Sequence, residues 1–157
     1  MKNEFVEQYK HTWRVFEGIV NDFDNDAWIH TGRGTITPVR LAFHILQAVK
    51  YYMEDSTTIV FASGKSFESN WETVKEESLP SQDDILICIS ELKAKTQEWL
   101  SEMEFDSENT SFGWAGDTRL GVALFLLRHS VYHLGELSSL LNESKNGEVR
   151  DNYVKAL

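Results

Sequence analysis

The sequence contains little cysteine, little proline and no long apolar run. Cys88 is the single cysteine among 157 residues, which excludes an internal disulfide and gives no indication of an oxidising compartment. No stretch approaches the roughly twenty apolar residues that a membrane-spanning helix needs, and the first residues lack the apolar segment of a secretory signal peptide. We therefore expect a cytoplasmic protein with no membrane partner.

Basic residues are also scarce. The chain has 15 Lys and Arg against 25 Asp and Glu, and its formal net charge is −10. A nucleic-acid-binding face needs clustered Lys and Arg to neutralise phosphates, and the sequence has no such cluster. We therefore expect no nucleic-acid partner. An anionic substrate would need a local cation in the site, which a bound metal could supply.

The chain does contain enough apolar material for a folded core. Apolar residues make up 41% and charged residues 25%, which is ordinary for a soluble globular protein and too apolar for a disordered one. A length of 157 residues suits one domain of ordinary size. The expectation is a single domain over residues 1–157.

Apolar residues recur at spacings of three and four in four segments, which is the period of an amphipathic helix. These predicted helices span about Lys2 to Phe23, Pro38 to Phe61, Ser81 to Met103 and Asp117 to Asn142. A short tail after them has room for one or two helical turns. We find no convincing strand, so the pattern predicts an all-α fold in which four helices form a bundle.

Capping residues mark the starts of three of these helices. Thr37 provides a capping hydroxyl before a proline at the first helical position. Ser81 and Asp84 form an S-x-x-D start signal, and Asp117 is the expected cap of the last helix. The connections at 25–35, 62–80 and 104–116 are predicted to be irregular.

The fourth predicted helix carries His129 and His133 on a face that is otherwise apolar. Two imidazoles four residues apart lie on one side of a helix and can share a metal ion. The third ligand should come from another helix, and His44 lies at the edge of the core face of the second one. Each could instead be a hydrogen-bonded structural histidine. Three inward imidazoles without an ion would leave buried donors and acceptors in need of partners, which favours metal binding.

Glu136 is the candidate catalytic residue, because it follows His133 by three positions on the same arc of the helix. Three roles are open for it: acceptor for the outer N–H of a ligand, fourth ligand, or general base towards a metal-bound water. A carboxylate turned towards water is the structural alternative. Phe112 and Trp114, in the loop before this helix, are candidates for the wall of a substrate pocket.

With these features the chain resembles the DinB/YfiT-like superfamily of small bacterial four-helix-bundle metalloproteins. The resemblance rests on the histidine that ends Thr37-Pro-Val-Arg-Leu-Ala-Phe-His44, on the motif His129-Ser-Val-Tyr-His133 and on its continuation Leu134-Gly135-Glu136. It covers essentially the whole chain in length and helix order.

The resemblance implies a site for one divalent metal ion, zinc or nickel, held by His44, His129 and His133 with positions open for water or substrate. Relatives include transferases and isomerases that use low-molecular-weight thiols such as bacillithiol or mycothiol, and others resemble metal-dependent hydrolases. By similarity we expect a homodimer that acts on a small-molecule substrate, with a low-molecular-weight thiol as cosubstrate.

The predicted ligand set agrees with that chemistry. Three neutral imidazoles leave a divalent ion its full charge and an open position, which is the pattern of catalytic zinc. Such an ion lowers the pKa of a bound water or thiol towards about 7. The sequence thus favours a metal-dependent thiol S-transferase or hydrolase. The open alternative is a non-catalytic bundle, a binding or stress-response module whose metal only ties two helices together.

Two other metal chemistries are disfavoured. Ferritin-like di-iron sites use Glu-x-x-His motifs, and no histidine in this chain follows a glutamate by three residues. The metalloprotease motif HExxH needs glutamate directly after its first histidine, where this chain has Ser130.

Overall fold

The computed structural model describes residues 2–67, 71–149 and 151–157, and these residues are mostly helical. Their six α-helices are α1 (Lys2–Asp22), α2 (Asn25–His30), α3 (Pro38–Glu54), α4 (Gln82–Glu102), α5 (Arg119–Ser144) and α6 (Asn152–Lys155). Two short strands, β1 (Ile59–Val60) and β2 (Ser66–Phe67), pair antiparallel. The predicted all-α class is confirmed. The same residues include no helix with the length and apolar character needed to cross a membrane.

The four long helices pack around one apolar core. Helices α1 and α3 each lie against both α4 and α5. Side chains from all four helices are almost completely buried in this core, among them Phe16, Phe43, Ile85, Ile89 and Leu126. Because α3 and α5 are neighbours, the helix that carries His44 runs beside the helix that carries His129 and His133.

Helix α4 begins where the sequence predicts. The hydroxyl of Ser81 accepts a hydrogen bond from the backbone N–H of Asp84, and the Asp84 carboxylate accepts one from the backbone N–H of Ser81. This reciprocal pair satisfies two helix-end donors. The same carboxylate also accepts the backbone N–H of Ser63, which ties the segment between the strands to α4.

The other two predicted caps differ from the structure. Thr37 does occupy the cap position of α3, but its hydroxyl is buried without a partner in the described part of the chain. The cap position of α5 belongs to Thr118 rather than Asp117, again without a side-chain hydrogen bond. At α3 the conformational restriction of Pro38 therefore sets the start.

The second predicted helix is too long, because α3 ends at Glu54 and not near Phe61. Asp55 takes a left-handed conformation with φ of 53° and donates its N–H to the Tyr51 carbonyl, which closes the helix. The β-branched residues 57–60 then favour extended chain, and β1 forms there. The prediction that the chain contains no strand is therefore wrong.

The short elements were also missed or only partly anticipated. The stretch 25–35, predicted to be irregular, contains α2, which is anchored by the buried ring of Trp28. Six residues are too few for a helical period to be recognised. The predicted loop 62–80 includes β2 and a turn at Glu76–Ser78, and its residues 68–70 lie outside the described residues. The predicted helical turn in the tail is confirmed as α6.

Candidate metal centre

The structure brings the three predicted histidines together at the contact between α3 and α5. One turn of α5 separates His129 from His133, so both rings face the same side of the helix. The ring of His44 lies 5.0 Å from that of His129 and 4.7 Å from that of His133, centroid to centroid. One nitrogen of each ring lies within 4.8 Å of the other two, so the group could hold a metal ion.

Within this group, Nε2 of His44 and Nε2 of His129 lie 3.2 Å apart. A tetrahedral ion with metal–nitrogen bonds of about 2.0–2.1 Å separates its ligand nitrogens by about 3.3 Å. In a neutral imidazole one nitrogen donates and the other accepts. The observed spacing therefore suits either a hydrogen bond between the two rings or an edge of a metal coordination sphere.

The surroundings of the centre keep the imidazoles of His44 and His129 neutral. Burial, together with the charge of the neighbouring imidazoles, lowers the pKa of His44 and of His129 from 6.5 to about 4. At neutral pH each of these rings thus presents a free lone pair. A metal ion needs this form of the ligand, because it competes with protons for the nitrogen.

The two ring nitrogens of His129 differ in their hydrogen-bond partners. Its Nδ1 is buried and finds no hydrogen-bond partner among the residues that the structure describes. The inner nitrogen, Nε2, lies 3.2 Å from Nε2 of His44, and between neutral rings only one of these two nitrogens can donate in that contact. A divalent cation of borderline softness would satisfy the inner nitrogen, and imidazole is a suitable ligand for zinc and nickel.

Glu136 orients His133. Its Oε2 accepts a hydrogen bond of 2.6 Å from Nδ1 of His133, three residues earlier on α5. Because this bond uses Nδ1, it leaves Nε2 as the nitrogen of His133 that can serve as a ligand, and it fixes the tautomer that a ligand needs. Of the three roles open to Glu136, the geometry favours the acceptor for the outer N–H of a ligand.

Substitution Glu136→Gln should weaken metal binding by about tenfold, because the amide keeps the shape but removes the charge that supports the His133 ring. A zinc titration against a competing chromophoric chelator measures the change. Glu143→Gln, an exposed substitution two turns further along α5, is the matched control and should bind like wild type. Equal affinities for the two variants would contradict this role of Glu136.

Two aromatic rings cover the faces of the ligands. The Trp71 ring lies 4.8 Å from the His44 ring, and Arg40, one turn before His44, donates to the Trp71 carbonyl at 3.0 Å. On α5, Phe125 stacks on His129 with ring centroids 6.3 Å apart. Neither Trp71 nor Arg40 was predicted from the sequence to lie at the centre. Arg40 lies on α3 and Trp71 lies in a loop 31 positions later, and the contact between them forms only in the folded chain. No local pattern in the sequence indicates this contact.

The predicted aromatic wall lies farther from the histidines. Phe112 is buried against Tyr51 and Tyr52, with ring centroids 5.4 and 4.9 Å away. Trp114 is 61% exposed and donates its indole N–H to the Tyr52 hydroxyl at 2.9 Å. These residues reach the metal centre through Tyr52, which packs on Phe125.

The remaining histidines lie outside this group. His11 contacts Tyr153 of the tail, and His30 is exposed between Asp26 and Glu76. Comparison of the chain with protein-family models, with curated proteins and with solved structures found no match. The function is therefore inferred from the chemistry of the centre.

Proposed function

We propose that this chain is a divalent-metal-dependent enzyme of the DinB/YfiT-like type, a four-helix bundle that binds one zinc or nickel ion through His44, His129 and His133. The observation that carries the proposal is the convergence of three imidazole nitrogens, from two helices, within 4.8 Å of one another. The reaction belongs to the thiol S-transferase or hydrolase class, and its substrate is a small molecule.

The chemistry follows from an all-imidazole ligand set. His44, His129 and His133 would hold a divalent ion whose charge would lower the pKa of a water or a low-molecular-weight thiol and so provide a nucleophile near neutral pH. Because the pKa of His44 and of His129 is about 4, these two rings are neutral ligands and leave the charge of the ion intact. Glu136 holds His133 in place, while the rings of Trp71 and Phe125 pack against those of His44 and His129.

Access to the centre supports catalysis over a purely structural role. All three rings are only partly buried, and the His133 side chain is 16% exposed. A metal that only ties helices together is usually sealed by protein ligands, whereas a catalytic metal keeps an open position. We further propose a homodimer. The exposed apolar side chains Leu124, Val131 and Tyr132 on the outer face of α5 support it.

An activity assay with metal-loaded protein tests the proposal. The two reactions are hydrolysis of 4-nitrophenyl acetate and conjugation of bacillithiol with monochlorobimane. We expect turnover in at least one of them, abolished by a chelator and by His133→Ala, because both remove the ion that activates the nucleophile. His30→Ala changes an exposed histidine outside the centre and should retain the activity.

The remaining outcomes separate the two functional classes. A protein that binds one metal ion per chain but turns over neither substrate would favour the non-catalytic binding or stress-response module. Activity that survives in His133→Ala and in the chelator would show that the three-histidine centre is not the catalytic site.

A further inference from the structure

A separate groove of about 510 Å³ lies at the C-terminal end of α3, where α4, the loop 108–112 and the start of α5 meet. This volume is in the range of sites that hold small organic ligands. None of the three clustered histidines lines it. The groove is therefore distinct from the candidate metal centre.

The apolar part of the groove is aromatic. It is lined by Tyr52, Trp99 and Phe112, with Met53 beside them. The Tyr52 and Phe112 rings pack with centroids 4.9 Å apart, and Trp99 is partly exposed. Aromatic faces carry negative electrostatic potential, and tryptophan attracts organic cations most strongly. This surface thus suits a ligand that carries both an apolar group and a positive charge.

The charged residues along the groove favour the same ligand. Asp55 and Glu108 are exposed, and within the described ranges neither forms an ion pair. The third carboxylate, Glu54, is already paired, with Lys95 at 3.0 Å and with Lys50 at 3.8 Å, and neither lysine is among the residues that line the groove. Among the residues that the structure describes, Arg119 is the single basic one that lines the groove. Two unpaired carboxylates against one guanidinium, in a chain of net charge −10, make the potential there negative.

We propose that this groove binds a small organic amine, with its ammonium group towards Asp55 and Glu108 and its apolar group on Trp99 and Tyr52. The site does not depend on the metal. Tyr52 nevertheless connects the two sites, because it packs on Phe125, which stacks on His129. A bound amine would therefore lie close to the metal centre without contacting its ligands.

A ligand series that varies only the charge tests the proposal. Benzylamine, benzyl alcohol and phenylacetate are titrated into the full-length protein, and binding is followed by NMR chemical shifts and Trp fluorescence. We expect benzylamine to bind saturably, and benzyl alcohol to bind about tenfold more weakly because it lacks the charge. Benzylamine binding should also weaken as salt is raised.

The double substitution Asp55→Asn and Glu108→Gln should lower the affinity for benzylamine about tenfold, to that of benzyl alcohol. Asparagine tolerates the left-handed backbone of residue 55, and glutamine matches glutamate in shape, so the fold should be retained. Thermal unfolding checks this. Glu143→Gln, at the other end of α5 and about 36 Å from Arg119, is the control and should bind benzylamine like wild type.

Two results would overturn the proposal. Tighter binding of phenylacetate, lost in Arg119→Gln, would identify an anion site. Loss of benzylamine binding in His133→Ala or in a chelator would show that the amine coordinates a metal ion. If His133→Ala still binds benzylamine, the result supports an amine site in the groove, whether or not the metal centre proves catalytic.

Discussion

Replacement of His129 by alanine is expected to leave the purified protein without stoichiometric metal, as is replacement of His44 or of His133. Each substitution removes one of three ligand nitrogens that lie within 4.8 Å of one another. The loss of affinity should exceed about a hundredfold, since removal of a residue that only supports a ligand already costs about ten- to a hundredfold. Elemental analysis after dialysis against zinc, followed by competition titration, measures it.

The controls for this experiment come from the same chain. His30→Ala removes an exposed histidine and should retain one ion per chain. Thermal unfolding of every variant in a chelator establishes that the alanine proteins are folded without metal. Full metal retention by all three centre variants would show that the ion, if bound, has other ligands.

The metal-free protein should lose stability as the pH falls from about 6.5 to about 4. In the folded chain the pKa of His44 and of His129 is about 4, mainly because both rings are buried, against the 6.5 of an exposed histidine. Between these values the unfolded chain binds more protons, so the stabilisation is complete above pH 6.5 and lost as the pH falls through 4. Each ring contributes about 1.4 kcal/mol per pH unit, which we discount by half for partial exposure. Together the two rings should lower the free energy of unfolding by roughly 3 kcal/mol across this range.

Urea unfolding of the metal-free protein across this pH range measures the effect. Carboxylates also titrate near its lower end, so the informative quantity is the difference between wild type and the double variant His44→Gln and His129→Gln. The free energy of unfolding of the variant should depend less on pH, because its amides do not titrate. Parallel curves for the two proteins would contradict the lowered pKa values.

The long helices could be predicted because their apolar residues repeat over many turns and because local signals mark some of their ends. The pair Ser81 and Asp84 forms a complete capping box, and its prediction is confirmed. The end of α3 could not be predicted, because the chain turns at Asp55 in a left-handed conformation with no glycine to mark it. The apolar pattern also continues through Ile59 and Phe61, which are buried outside the helix.

The candidate site was predictable to the extent that it is local. The spacing of His129, His133 and Glu136 places all three on one arc of α5, so the hydrogen bond between the last two follows from the helix. The approach of His44 depends on the packing of α3 against α5, which helical period alone does not determine. Trp71 reaches His44 from a loop, and no pattern in the sequence indicates that contact.

X-ray absorption at the zinc edge, on the zinc-loaded protein, tests the three-histidine centre most directly. The spectrum should fit three imidazole nitrogens at about 2.0–2.1 Å together with a lighter, exchangeable oxygen or nitrogen ligand. In His44→Ala, loaded with excess zinc to offset its weaker binding, the imidazole contribution should fall to two. A wild-type spectrum with fewer than three imidazoles, or one unchanged by His44→Ala, would contradict a metal centre shared by α3 and α5.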